Sequence, residues 1–373
     1  PAMTAVTGSQ TDMSRDRTDI YYWKCDRAAA FHGTSDYLLD QSALQAKLSA
    51  ALTRRFPGEV ADLAVGCGQG NHRTFTATLG GRKVFIRTED GEEGDNYFAV
   101  EAAVTKRVAA LGVPVPETIA FDCSRTAETP FAWQVIPFVD AADLNAHFKA
   151  GTLDWTDIAP AIGRAVATWQ GVSAKGFGPF SARTAAESGE LVALHPTAEA
   201  YYRLNLERHL KFLKDGDFLD EAYLRRIRAA VDANIRVLDR PGVLVHKDLA
   251  LWNILGTPSA VTCFIDWDDA IIGDAMDDLS LMACFHGRDV LARIVAGYET
   301  VRPLTADAAP RFWLCLLRNM IFKAVIRVGA GYFRRDGSFF LVNGGGETLE
   351  ETTRRKIETA LAGLEKGLGL DAL

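Results

Sequence analysis

The chain predicts an α+β protein of two lobes, a small antiparallel sheet with one helix followed by a larger helical body. Three features of the sequence lead there. Residues 63–87 read as strand, glycine turn, strand, Gly80-Gly81 turn, strand, which is a meander. From Asp143 onward the apolar residues recur mainly at helical spacing, as Ile158, Ile162, Ala165, Val166 and Trp169 do within 155–170. One interruption breaks the helices: the apolar run Val243-Leu244-Val245, a polar turn, and the short apolar segments Ile254-Leu255 and Phe264-Ile265.

Composition narrows the class. At 48% hydrophobic and 24% charged, with 373 residues, the chain has room for two domains or one bilobal unit. A formal charge of -7 and a pI near 5.6 argue against a nucleic-acid surface as the main business. The six cysteines (25, 67, 123, 263, 284, 315) show no Cys-x-x-Cys and no Cys/His pairing, which reads as reduced thiols and not as a zinc site or disulfide framework. No apolar run reaches the roughly 18 residues of a membrane span, and no basic-then-apolar leader opens the chain. A cytoplasmic protein without a membrane partner is the expectation. No heptad repeat stands out, so the oligomeric state is open.

Taken in order, residues 1–39 form an N-terminal arm whose stretch 3–19 is polar, aperiodic and expected to be loosely attached. Within it Ile20-Tyr21-Tyr22-Trp23-Lys24-Cys25-Asp26-Arg27 differs, because adjacent aromatics are costly to leave in water. It reads either as an anchor on the body or as an arm closing over a cleft. Residues 40–139 are the N-lobe. Leu44, Leu48, Ala51 and Leu52 predict an amphipathic helix over 40–55, and the meander follows with Gly66, Gly68 and Gly70 in its first turn. Those glycines suit either a plain hairpin or a loop that covers phosphates with its backbone N–H groups. Arg87 ends the third strand. A helix over 97–111 carries Glu101, and Gly112-Val113-Pro114 stops it. Phe131 to Val139 is an apolar strand ending at a proline. Residues 140–373 make the helical C-lobe, with charged helices over 181–240. A late helical stretch between Ala308 and Arg335 carries Arg311, Arg318, Lys323, Arg327, Arg334 and Arg335, with no acid among them. Its cations are either helix ends paired to acids elsewhere or part of a pocket. Tyr332, Phe333, Phe339 and Phe340 beside it can pack in the core or stack on a flat ligand.

The polar turn carries the chemistry. His246-Lys247-Asp248-Leu249 leaves an apolar strand, Asn253 stands five residues past Asp248, and Asp266 leaves the next apolar run. Transfer of a phosphoryl group from a nucleotide needs a carboxylate to orient and deprotonate the attacking hydroxyl, and oxygen ligands to hold Mg²⁺ against the phosphates. Asp248 fits the first need; Asn253 and Asp266 fit the second.

In type, order and strand context this stretch resembles the catalytic loop of protein kinases. No Asp-Phe-Gly or Ala-Pro-Glu appears. Instead Ile265-Asp266-Trp267-Asp268-Asp269 and Gly273-Asp274-Ala275-Met276-Asp277-Asp278-Leu279 resemble the aminoglycoside phosphotransferase family, small-molecule kinases with choline-kinase and fructosamine-kinase relatives. Lys247 stands where glycine is usual and Ala275 where proline is usual. The resemblance implies a bilobal protein-kinase-like fold and an ATP-dependent O-phosphotransferase using Mg²⁺. Asp248 would be the catalytic carboxylate, with Asn253 and Asp266 on the metal. Arg87 would touch the nucleotide phosphates, held by Glu101, and Gly66, Gly68 and Gly70 would cover them. The backbone near Ile136 and Phe138 would hold the adenine edge. His246 would brace the loop, and Asp278 would steady the turn after Asp266. A basic helix in the acceptor region disfavours polycationic aminoglycosides and suits a neutral or anionic hydroxylated acceptor, sugar- or metabolite-like. An antibiotic-resistance enzyme, a protein kinase and a silent nucleotide-binding scaffold are the rivals. Neither the acceptor nor ATP over GTP is fixed by these residues.

Overall fold

The computed structural model describes residues 17–27, 39–66, 72–91, 97–335, 339, 341 and 346–373. Its first elements are α1 (Trp23–Asp26) and α2 (Gln41–Arg55), then β1 (Val60–Val65), β2 (Arg73–Leu79), β3 (Arg82–Glu89), α3 (Phe98–Ala110), β4 (Ala120–Asp122) and β5 (Ala132–Pro137). The helix α2 starts where the Asp40 carboxylate accepts the Ala43 N–H at 2.8 Å, satisfying a backbone donor that has no intrahelical partner. The strands form one antiparallel sheet in the order β1-β2-β3-β5-β4. Alternation along them turns Phe75, Ala77, Val84, Ile86, Trp133 and Val135 onto Leu44, Leu48 and Leu52 of α2, making a small core of their own. By contrast Val100, Val104 and Val108 of α3 belong to the large core of the helical body, so this helix joins the two parts.

The body follows with β6 (Ala142–Asp143), α4 (Leu144–Lys149), α5 (Trp155–Trp169), β7 (Phe177–Phe180), α6 (Ala182–Ser188), β8 (Ala193–His195), α7 (Ala198–Arg203), α8 (Leu206–Asp215) and α9 (Glu221–Asn234). Then come β9 (Val243–Val245), β10 (Ile254–Thr257), β11 (Ala260–Phe264), β12 (Ile271–Gly273), α10 (Asp277–Phe285), α11 (Arg288–Glu299), α12 (Ala308–Gly329) and α13 (Leu349–Lys366). Helices α5 and α11 touch backbone to backbone. A Cβ on Gly163 would stand 1.9 Å from the Ile294 carbonyl oxygen, and one on Gly297 2.2 Å from that of Pro160, so neither position admits alanine without moving a helix. Two small antiparallel sheets, β11-β10-β6 and β8-β7-β12-β9, bracket the connection from Val245 to Ile254. The predicted α+β class, the meander and the helices over 40–55, 97–111 and 155–170 are all present, each helix within two residues of its expected ends. Among the described residues no helix is long and apolar enough to cross a membrane.

The arm departs from expectation. Its loose stretch ends earlier than predicted, because Arg17 is already buried, with its guanidinium 3.7 Å from the Tyr97 ring. Beyond it Tyr21 stacks on Tyr201 with ring centroids 4.8 Å apart, and Tyr22 on Phe322 at 4.3 Å. Burying such rings stabilises the docked arm by about 2 kcal/mol each.

Candidate active site

Strand β9 delivers the chain into a turn whose geometry explains why glycine is usual there. Lys247 has φ +69°, a left-handed conformation that costs an ordinary residue about 1–2 kcal/mol. The turn is held from below. Asp278, at the start of α10, accepts the backbone N–H of His246 at 2.9 Å and of Lys247 at 3.2 Å, and the indole N–H of Trp169 at 3.0 Å. Its expected place at the turn after Asp266 is therefore corrected: the carboxylate is acceptor-only, and the donors it meets lie in the loop before Asp248. His246 braces the same loop. Its Nε2 lies 2.9 Å from the Ile265 carbonyl oxygen and its Nδ1 accepts the Asp248 N–H at 3.3 Å, which selects the tautomer protonated on Nε2.

Asp248, Asn253 and Asp266 come together: Asn253 is bonded to Asp248, and the Asp248 charge acts on Asp266. The Asn253 amide N–H group donates to the Asp248 carboxylate at 3.0 Å and to its backbone carbonyl at 2.8 Å, so the Asn253 side-chain oxygen is the atom left for another ligand. Asp266 has φ +67° and is pushed up from the usual carboxylate range by burial and by the charges of Asp268 and Asp248. A crowd of acids whose charges oppose one another suits a divalent cation, which would relieve them. Among the described residues the acids here do not close a cage of three ligand atoms; the three-residue grouping that does form, Cys25, Asp26 and His209, lies in the arm. Two protein oxygens completed by phosphates and water is the arrangement Mg²⁺ takes in nucleotide sites. The arm's grouping is already spent: Asp26 accepts from the Tyr21 and Tyr22 N–H groups and pairs with His209 and Arg208.

The arm also reaches the cleft, which sequence reasoning missed at the level of residues. Lys24 Nζ stands 3.7 Å from the Asp248 carboxylate, and the Tyr22 hydroxyl faces the same group. Asp248 raises the Lys24 ammonium above its ordinary range against the pull of burial. Arg17 donates to Asp269 at 2.7 Å and to the Asp268 carbonyl at 3.2 Å. Burial still pushes Asp269 up to about 7. The signal for Lys24 was its place two residues past the Tyr-Tyr pair, which has to bury; nothing local says which loop it meets.

On the sheet side, Arg87 pairs with Glu101, donates from Nη1 to Asp266 at 2.9 Å, and from Nη2 to the Gln134 side-chain oxygen at 2.7 Å. The second Glu101 oxygen accepts the Trp267 N–H at 3.0 Å. Glu101 thus links the arginine to the loop that carries Asp266. Gly66 donates its N–H to the Thr74 carbonyl at 2.8 Å, and a Cβ there would sit 2.8 Å from the Thr74 hydroxyl. Its glycine is set by hairpin packing; Gly68 and Gly70 lie outside the described residues. Of the hinge groups, Ile136 pairs opposite Phe85, and the Phe138 N–H is bonded to the Lys83 carbonyl at 3.2 Å. That N–H is committed to the sheet and cannot also serve an adenine.

His72, where the first hairpin re-enters the sheet, closes the cleft from above. It stands 3.3 Å from Asp268 and 3.4 Å from Glu89. Burial opposes its charge, but the hydrogen bonds to Asp268 and Glu89 win and push it up to about 9. On α12 the predicted cations divide. Arg311 pairs with Asp274, and Arg318 donates to the Tyr202 and Leu204 carbonyls with its guanidinium 3.4 Å from the Tyr21 ring. Lys323 and Arg327 form no ion pair with an acid among the described residues. Phe333 stacks on Phe218 and Tyr332 meets Phe339 edge-on, while Phe340 lies outside the described residues.

Comparison with solved structures returns the same architecture. The aminoglycoside phosphotransferase APH(4)-Ia, in a ternary complex with ADP and hygromycin B, matches at 17% identity and a TM-score of 0.59, over 87% of this chain and 99% of that one. A presumptive fructosamine-3-kinase from Thermobifida fusca YX-ER1 matches at 20% identity and 0.57, over 84% and 99%. The macrolide 2'-phosphotransferase MphH from Brachybacterium faecium matches at 17% and 0.55, over 86% and 98%. No curated protein matches in sequence. The model of the phosphotransferase enzyme family matches residues 64–313, two thirds of the chain, and with it the loop, both ends of the Arg87–Glu101 pair and Asp266. The chain belongs to that phosphotransferase family and is a small-molecule kinase with its kinase-like fold.

Proposed function

We propose that the protein transfers the γ-phosphoryl group of ATP to a hydroxyl of a small neutral or anionic acceptor, sugar- or metabolite-like, in the cleft between residues 40–139 and 140–373. The observation that carries this reading is the grouping of Asp248, hydrogen-bonded to Asn253, with Asp266, which the Arg87–Glu101 pair holds from the sheet side. Asp248 orients the acceptor hydroxyl and takes its proton as the new O–P bond forms and the bond to the β-phosphate oxygen breaks, releasing ADP. Asn253, through its side-chain oxygen, and Asp266 would hold Mg²⁺, which when bound would neutralise charge developing on the phosphates. Arg87, kept in place by Glu101, would present its guanidinium to the nucleotide phosphates. Lys24, beside Asp248, places a positive charge where the transferred group passes.

Nucleotide consumption with Mg²⁺ across sugars, amino alcohols, hydroxy acids, aminoglycosides and macrolides, beside Asp248→Ala, tests the reading. Turnover with one acceptor, reduced by at least about 100-fold in the variant, is the expected result. Turnover that survives the substitution would remove Asp248 from the mechanism. Nucleotide binding with no turnover on any acceptor would favour the scaffold.

A further inference from the structure

Three cations lie buried around Cys284, and no acid among the described residues forms an ion pair with any of them. Lys323 and Arg327 are one turn apart on α12, and Lys356 faces them from α13; they are 7%, 3% and 3% exposed. Arg327 donates to the Thr353 hydroxyl at 2.7 Å and Lys356 to the His286 carbonyl at 2.7 Å. Lys323 makes no hydrogen bond or ion pair with any described residue. Its Nζ lies 4.8 Å from the Phe285 ring centroid and 4.9 Å from that of Phe322. The Cys284 thiol, beside all three, is pushed up by burial and donates to the Ser280 carbonyl, so it brings no counter-charge; His286 is kept neutral by burial and Lys356, and Glu347 attracts Lys356 from a distance. Burial draws Lys323 and Lys356 down to about 8 and Arg327 to about 10. Buried cations without partners are strongly unfavourable unless an anion joins them.

Through Phe285 the cluster reaches the side chains around the Asp248 loop. Phe285 meets Trp252 edge-on at 4.9 Å, and both line, with Leu251, Phe148 and His286, a small pocket beside the loop that carries Asp248. The Asp248 charge is felt at Lys323, as is that of Lys24. Lys323 thus lies against Phe285, whose neighbour Trp252 stands four residues past Asp248.

We infer that this cluster is an anion subsite of the acceptor pocket: the acceptor carries a carboxylate or phosphate that Lys323, with Arg327 behind it, binds while a hydroxyl of the same molecule faces Asp248. The inference rests on the phosphotransfer reading for the role of Asp248, and on the cluster alone for the anion. It excludes polycationic acceptors, which would place like charge against Lys323.

The test uses the full chain with ATP and Mg²⁺ and matched acceptors: glycerol, glycerate and glycerol 3-phosphate; erythritol and erythronate; glucitol, gluconate and glucosamine. In at least one set an anionic member is expected to exceed its neutral partner at least tenfold in kcat/KM, and the set identifies carboxylate or phosphate. Lys323→Met is expected to cost that anionic acceptor at least tenfold more than its neutral partner, chiefly in KM. Neutral or cationic members used as well as or better than the anionic ones would overturn the inference. A second measurement needs no turnover. Thermal unfolding with AMP-PNP and Mg²⁺ is compared in sodium sulfate and in sodium chloride of equal ionic strength. Wild type is expected to gain stability in sulfate and Lys323→Met to lack that gain, while being the more stable of the two in chloride. An equal sulfate response in both proteins, an adventitious ion effect only, would overturn the subsite. If no acceptor turns over, the phosphotransfer reading fails, and the sulfate comparison alone decides the anion site.

Discussion

His72 offers a quantitative test of how the first hairpin is held over the cleft. Its imidazole lies between Asp268 of the body and Glu89 of the sheet, and those carboxylates push it from the ordinary 6.5 to about 9. A histidine whose pKa is raised on folding contributes stability that is fully present below about 6.5 and is lost as pH rises through about 9. The shift of about 2.5 units corresponds to about 3 kcal/mol, at about 1.4 kcal/mol per unit. Asp268 and Glu89 hold the other ends of the same contacts, so the figure is counted once. His72→Gln keeps an amide that can hydrogen-bond but removes the charge. Urea unfolding of both proteins between pH 6 and pH 10 should show wild type ahead by about 3 kcal/mol at the acid end, with the gap closing as pH rises through about 9. The KM for ATP should rise in wild type over the same interval, because the hairpin that His72 closes follows the glycine turn. A difference between the two proteins that stays flat across the whole range would refute the ion pairing.

Other perturbations separate further parts of the site. Lys24→Met should lower kcat by roughly 5- to 30-fold with little change in the KM for ATP, since an attraction of about 4 kcal/mol at 3.7 Å is discounted to about 1–2 kcal/mol for a side chain 40% exposed; Lys24→Arg should recover most of the loss, and an unchanged kcat in Lys24→Met would leave the residue an anchor only. Asp278→Asn replaces one of the two accepting oxygens by an amide donor, which must then face at least one of the three N–H groups, and should destabilise by about 2–4 kcal/mol in chemical denaturation. Glu101→Gln should raise the KM for ATP about tenfold or less and spare the fold, as judged by near-UV circular dichroism, because the amide retains an acceptor for Trp267 but gives up the charge beside Arg87.

What the sequence disclosed follows from which constraints are local. Spacing fixes Asp248, Asn253 and Asp266, because a strand, a turn and a hairpin leave few ways to bring those three into one cleft. Hydrophobic period exposes α2, α3 and α5, whose buried faces recur as Leu44, Leu48 and Leu52 do. Lys24, Arg17 and His72 were not legible as site residues. Each meets its partner across more than 150 positions of chain, as Lys24 and Asp248 do, and no period or motif encodes such a meeting. Which backbone group near Ile136 and Phe138 is free for a ligand was not legible for a related reason: that the Phe138 N–H is taken by the Lys83 carbonyl depends on register, which a single strand does not reveal. Asp278 was assigned to the wrong turn because its motif lies next to Asp266 in sequence while its donors lie upstream.

Lys247 joins these threads. Where relatives carry glycine this chain holds a lysine at φ +69°, and its ammonium is fully buried, reaching the Tyr21 hydroxyl at 3.1 Å, Asn319 at 3.0 Å and Asp277 at 3.0 Å. Asp277 raises that ammonium well above its ordinary range despite burial, so the charge is kept. The backbone strain of about 1–2 kcal/mol is offset by a tie between the Asp248 loop and the arm. Glycine at this position would relieve the strain but leave Asp277 with Asn319 alone, and a half-paired buried carboxylate costs about 3–5 kcal/mol. Lys247→Gly should therefore destabilise by about 2–3 kcal/mol, and Asp277→Asn added to it should recover part of that loss. The arm supplies Tyr21 to this tie and Lys24 to Asp248 from the same turn of chain. A lysine in the glycine position and an aromatic arm are then one feature: the residue that strains the loop is the residue that fastens the arm across it.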